Sequence, residues 1–222
     1  MSSKIDTTLA EAVWLARHAE RIDFANRAWP QSAERPFDPH LSEKGQLQAQ
    51  KLAQRLAAED IGHIFASPFL RTLQTAWPVA EALDMPIKIE YGLSEWLNPQ
   101  WFSALPSYLA AADRPKLFAR VDSDYRSVLQ PSHPETWPEF EARAAKTVQA
   151  LVAGYDGQIL LIGHGATLTG ATQGLIAGKP KINTPLCGLV LAARNQADWS
   201  LTLNGDVAHL QDNQNLHQGV WA

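Results

Sequence analysis

Cysteine is nearly absent from this chain: Cys187 stands alone among 222 residues. A single thiol forms no internal disulfide and no Cys-rich metal site, so the core must hold the fold together, with Cys187 as a small buried member of it. Basic charge is not in excess either. Nineteen Lys and Arg face 23 Asp and Glu, a formal net charge of -4, which excludes a broad cationic surface for nucleic acid or an anionic membrane. No stretch approaches the roughly 18 consecutive apolar residues of a membrane span. The first eleven residues lack the apolar core of a signal peptide, and a cytoplasmic location is the expectation. His40, His63, His133, His209 and His217 are scattered without metal-ligand spacing and are expected at the surface. The glycines from Gly163 to Gly178 match neither a dinucleotide-binding fingerprint nor a phosphate-binding Gly-Lys-Ser/Thr loop. Metal and organic cofactor therefore have no support in the sequence.

What is present is an alternation of short apolar runs and helical patterns, without internal repeats. Ala12–Ala16, Ile61–Ala66, Ile87–Tyr91 and Ile159–Ile162 read as buried strands, and Leu189–Ala193 with Trp199–Leu203 as a closing hairpin around 195–198. Ser42 precedes a helix whose Leu47, Ala49, Leu52, Ala53 and Leu56 share a face. Ser67-Pro68 predicts a cap and first-turn proline for a helix to Leu83 that Pro78 should end or kink. Thr136 and Glu139 have capping-box spacing ahead of Phe140, Ala144, Val148, Leu151 and Val152. The pattern predicts one α/β domain over residues 1–222: a three-layer sandwich with a mostly parallel sheet of about six strands. Residues 1–11 are expected to be flexible, and 94–135 to form a small, partly helical cap insertion. A second irregular segment, 22–40, reads as a loop on the substrate side. The tryptophans of the cap fit either an apolar pocket or ordinary packing.

Ligands of open α/β sheets bind beyond the carboxyl ends of the strands. There the sequence places Arg17-His18-Ala19-Glu20-Arg21, Ser67-Pro68-Phe69-Leu70-Arg71, Glu95, and Gly163-His164-Gly165. Two histidines, three arginines and a carboxylate are thus predicted to converge, a set suited to phosphoryl transfer: a nucleophile, cations for the phosphoryl oxygens and an acid for the leaving oxygen. Glu20, Asp23 and Glu90 are alternative carboxylates near such a pocket. Arg27, Arg35 and Arg126 are either substrate contacts reaching in from the loop and cap or, as expected here, solvated charges.

These motifs, with Leu41-Ser42-Glu43-Lys44-Gly45, the run Ala66–Ala76, and Ile162-Gly163-His164-Gly165-Ala166-Thr167, resemble the histidine phosphatase superfamily. Ile22-Asp23-Phe24, Ser94-Glu95-Trp96-Leu97 and the run Val121–Arg126 are similar to its TULA and ecdysteroid-phosphate phosphatase branch, and the resemblance spans about residues 12 to 217. It implies a metal-independent phosphomonoester hydrolase. His18 would form a phosphohistidine, Arg17, Arg21, Arg71 and His164 would hold the phosphoryl group, and Glu95 would donate the proton. It also implies a small phosphomonoester or phosphotyrosine substrate and a homodimer. Phosphoglycerate mutase-type transfer and a non-catalytic phosphoester-binding module are the alternatives. Ala19 replaces the usual glycine, and Gly163 and Ala166 replace the usual serines. A methyl beside the nucleophile is expected to narrow the pocket.

Overall fold

The computed structural model describes residues 9–211. Its elements are β1 (Ala10–Arg17), α1 (Ile22–Ala25), α2 (Glu43–Leu56), β2 (Ile61–Ala66), α3 (Leu70–Ala82), β3 (Ile87–Ile89), α4 (Arg114–Leu117), α5 (Trp137–Gly154), β4 (Gly157–Gly163), α6 (Gly165–Leu175), β5 (Leu189–Asn195) and β6 (Asp198–Asp206). They form one six-stranded sheet in the order β3-β2-β4-β1-β5-β6. The first four strands in that order run parallel, while β5 is antiparallel to β1 and β6 to β5.

The apolar runs are continuous because both sheet faces are covered. Alternate residues go to opposite sides. Trp14, Ala16, Ile64, Ala66, Leu160 and Ile162 pack with Leu52 and Leu56 of α2 and Leu73 and Val79 of α3. Val13, Leu15, Phe65, Ile159 and Leu161 pack with Val148 and Leu151 of α5 and Leu168 and Ala171 of α6. Gly174 lets α6 lie close against α5, since a Cβ there would stand 2.6 Å from the Ala145 Cα.

The capping signals act locally. Ser42 accepts from Gly45 N at 3.0 Å, and Gly45 carries no side chain because a Cβ would lie 2.1 Å from the Glu20 carbonyl oxygen. That close approach packs the start of α2 against the segment that follows β1. Thr136 and Glu139 form the expected capping box of α5. The hairpin also forms, turning at Gln196 with φ of 55°.

Several boundaries differ from the expectation. β1 starts at Ala10, so residues 10 and 11 belong to the sheet rather than to a flexible start, and residues 1–8 lie outside the described residues, as do His217 and the end of the family resemblance. Leu47 is 60% exposed and does not join the apolar face of α2. β3 stops at Ile89, because the Glu90 side chain accepts from Gly92 N at 2.7 Å and starts a 3-10 turn over Tyr91–Leu93. α3 begins at Leu70 rather than at Ser67-Pro68: its first N–H is taken by Asp38 Oδ1 at 2.7 Å, from the loop after β1. Pro78 does not end α3, which continues to Ala82. The buried row Leu73, Ala76, Val79 and Ala80 offsets the one backbone hydrogen bond that proline removes.

The 94–135 connection carries one helical turn, α4, and is otherwise irregular. Two buried carboxylates tether it. Glu90 accepts from Tyr125, Ser127 and Val128 at 2.6, 2.6 and 2.8 Å. Glu135 takes a two-pronged ion pair from Arg143 of α5, both bonds 2.7 Å.

Candidate active site

Three parallel strands end side by side and carry the reacting groups on their next residues. His18 continues the β1 ladder, its N–H donating to Gly163 O at 2.9 Å, and Ser67 N does the same to Ile162 O at 3.0 Å. His164 follows β4 as the N-cap of α6, so the positive end of that helix faces the site. All six residues singled out in the sequence meet here. Arg17, Arg21, Arg71 and Glu95 line a cavity of about 370 Å³ with Asp23, Pro36, Phe37, Pro39, Trp101 and Phe102, and the rings of His18 and His164 lie 5.4 Å apart, edge to face.

Hydrogen-bond chemistry fixes the state of both imidazoles. A carbonyl only accepts, so His18 Nδ1, 2.8 Å from Ala19 O, bears the hydrogen, and Nε2 keeps a lone pair. A guanidinium only donates, so His164 Nδ1, 3.2 Å from Arg71 Nη2, is the acceptor, and Nε2 donates to Ser67 Oγ at 2.8 Å. Burial first, and then the Arg71 charge, hold both imidazoles well below the usual histidine range. Both rings are therefore neutral at pH 7. The Glu95 carboxyl is pushed up by burial, partly offset by Arg71. Its Oε2 lies 3.6 Å from His164 Nδ1.

The three arginines are held differently. Arg17 donates to Thr184 O at 2.7 Å, leaving Nε buried without a partner. Arg21 is gripped by Asp23 through Nε and Nη2 at 2.9 and 2.7 Å and stacks on Phe24 at 4.3 Å. Arg71 is 1% exposed, lies 4.2 Å over the Phe69 ring, and has Nε and Nη1 without a hydrogen-bond partner. Burial lowers its pKa to about 10, so it stays charged at neutral pH. Buried donors without partners at the edge of a cavity suit an anion that arrives with oxygens.

Of the alternative carboxylates, only Asp23 reaches the cavity. Glu20 takes Ser42 Oγ and Lys44, Glu90 tethers the cap, and Asp23 lines the cavity as the partner of Arg21. Ala19 does not narrow the pocket, because it is fully buried in the core beneath α2 and α3 and its N–H donates to Thr75 Oγ1 at 3.1 Å. His40, His133 and His209 are half-buried rather than surface groups, each bound to a backbone carbonyl at 2.8, 2.9 and 3.0 Å, and half-buried His63 faces Asp156. Arg35 approaches buried Asp38 rather than standing solvated. Among the described residues, no group of three His, Cys, Asp or Glu could hold a metal ion, and no helix is long and apolar enough to cross a membrane.

Three supporting residues carried no recognisable signal in the sequence. Ser67 reads as a helix cap and instead holds His164. Arg143 reads as one more charge on α5, yet it fixes the carbonyls of Gly92, Ser94 and Glu95 at 2.7, 3.1 and 3.1 Å and so places the Glu95 segment. Asp38 lies in a loop. The capping-box spacing is the nearest available hint for Arg143, since it fixes the phase of α5 and places position 143 on its buried face.

A doubly covered parallel sheet with a neutral histidine among arginines at its carboxyl edge defines a phosphoryl-handling α/β protein. The chain belongs to the histidine phosphatase superfamily (branch 1), whose family model matches residues 13–206. It is 26% identical to the ecdysteroid-phosphate phosphatase of Drosophila melanogaster over 85% of this chain and 31% of that protein. It is also 26% identical to the human TULA protein, ubiquitin-associated and SH3 domain-containing protein A, over 79% of this chain and 32% of that protein. The chain thus spans about a third of the length of these curated relatives. The fold is shared with the ecdysone phosphate phosphatase of Bombyx mori, solved in complex with tungstate, at a TM-score of 0.74 and 24% identity over 89% of this chain and 93% of the other. The superfamily read from the motifs is the one the chain belongs to, and proteins of the branch named there are among its relatives.

Proposed function

We propose that the protein hydrolyses phosphomonoesters through a phosphohistidine at His18, without a metal ion. The observation that carries this reading is the His18 ring itself: it is neutral, its tautomer is set by the Ala19 carbonyl, and unpartnered Arg71 donors stand beside it. His18 Nε2 attacks phosphorus and the P–O ester bond breaks as Glu95 protonates the leaving oxygen. Water then gives a proton to the Glu95 carboxylate and attacks phosphorus; the P–N bond breaks, releasing phosphate and restoring the imidazole. Arg17 and Arg71 hold the phosphoryl oxygens, while His164, whose one hydrogen goes to Ser67, orients the Arg71 fork by accepting from Nη2 rather than binding phosphate directly. Arg21, bound to Asp23 through two nitrogens, retains Nη1 for the phosphoryl oxygens.

The walls above this floor, Pro36, Phe37, Pro39, Trp101 and Phe102, are apolar and largely aromatic. They support a small phosphomonoester with an apolar or aromatic leaving group, phosphotyrosine included. Composition and branch resemblance support a cytoplasmic homodimer.

The test is phosphate release from 4-nitrophenyl phosphate in excess EDTA, comparing the parent with His18→Ala. Turnover by the parent and none by the variant is expected. Conversion of 3-phosphoglycerate without phosphate release would identify a mutase, and tight ester binding without release a binding module. Equal turnover by both proteins would remove His18 from the reaction.

A further inference from the structure

We infer that Asp38 is a positioning residue for the phosphoryl clamp: it holds the Arg71 guanidinium in place without consuming its hydrogen bonds, and ties the apolar wall of the pocket to that clamp. This inference rests on the phosphoryl-binding reading of the site.

Asp38 is 2% exposed. Its Oδ1 takes the Leu70 N–H that opens α3 at 2.7 Å and lies 4.0 Å from Arg71 Nη1, while Oδ2 lies 3.7 Å from Arg35 Nε and has no hydrogen bond. The other well-buried arginine salt bridge shows what a purely structural pair looks like: Arg143 is bound by Glu135 through two nitrogens, and backbone carbonyls take its remaining donors. Arg71 is arranged differently. His164 takes Nη2, the Phe69 ring covers one face, and Nε and Nη1 remain open.

A carboxylate 4.0 Å away is near enough to offset the burial of a guanidinium charge and too far to accept its hydrogen. The donors therefore stay free for phosphoryl oxygens. Pro36, Phe37 and Pro39 of the same loop line the cavity. Asp38, in their midst, turns inward to the first turn of α3 and fixes where that wall meets Arg71.

The probe is orthovanadate, with its Kd measured by calorimetry for the parent, Asp38→Asn, Asp38→Ala, Arg71→Ala and the Asp38→Asn/Arg71→Ala double variant, alongside thermal midpoints. Asp38→Asn keeps an oxygen for Leu70 N and loses the charge, whereas Asp38→Ala loses both. Positioning through Arg71 predicts that both single Asp38 variants weaken vanadate binding about tenfold. Only Asp38→Ala should also melt appreciably earlier, and Asp38→Asn should change the Kd less than about twofold once Arg71 is gone. Parent-like binding by Asp38→Asn, affinity losses that follow the melting temperature, or equal effects of Asp38→Asn with and without Arg71 would overturn the inference while leaving the phosphatase reading intact. A parent that neither binds vanadate nor turns over an ester would overturn both.

Discussion

An imidazole attacks phosphorus only while one ring nitrogen keeps its lone pair, and a carboxyl group protonates a leaving oxygen only while it keeps its proton. Burial moves the two groups toward those states, lowering His18 and raising Glu95. The signs fix the shape of the pH profile. kcat/KM falls as pH drops through the depressed His18 value, because the nucleophile becomes protonated, and falls as pH rises through the elevated Glu95 value, because the acid is lost. Glu95→Gln should remove the basic limb and cost about 10²- to 10⁴-fold on an alkyl phosphate, the usual worth of a positioned general acid. The loss should be smaller on 4-nitrophenyl phosphate, whose leaving group needs little protonation; initial rates across pH for the two esters measure this, and equal losses would remove Glu95 from the acid role. At this scale His18, Arg17, Arg21, Arg71, Glu95 and His164 were legible in the sequence, because each follows a strand end or cap within a recognisable motif. Asp38, Ser67 and Arg143 were not. Each is an ordinary residue type whose role depends on a partner 32 or more residues away. Ala19 was misread for a related reason: adjacency to the nucleophile in sequence does not say which side of the chain the methyl faces.

The connections between elements decide whether these groups meet. Arg143 and Glu135 join α5 to the segment bearing Glu95, with side chains 6% and 2% exposed. Removing one partner leaves a buried charge uncompensated, a loss of about 3–5 kcal/mol, whereas a well-packed apolar pair is tolerated. Arg143→Ala should lower urea stability by that order and also reduce kcat, since three carbonyls of the Glu95 segment lose their donor. Arg143→Met with Glu135→Leu should regain stability without regaining activity. Recovery of both in the double variant would show that the pair acts on stability alone. Strands and long helices were legible from period and caps, since each buries a continuous stripe. The ends of β3 and α3 were not, because carboxylate side chains, Glu90 and Asp38, set them rather than local propensity. The 94–135 segment shows a further limit: its order comes from Glu90 and Arg143 tethers, which leave no periodic signature.

Across the molecule, the sheet order sets the chemistry. β4 lies between β2 and β1, so His164 stands between the residues that follow those two strands, and α6 starts at the same edge. A chain of net charge -4 thereby gathers three arginines at one cavity. The Asp23, Asp38 and Glu95 carboxylates near them make that positive field local, matched to a phosphoryl group rather than to a polyanion. The central claim is that this edge makes a covalent phosphohistidine at His18. Its most direct test is rapid quenching of the enzyme with a phosphate-labelled aryl ester, followed by peptide mapping. The account predicts one phosphoryl group per chain, stable to alkali, labile to acid, located on His18 and hydrolysed at a rate compatible with turnover. Hydrolysis of the ester with no such adduct at any quench time, in a protein whose Glu95→Gln variant also accumulates none, would contradict it.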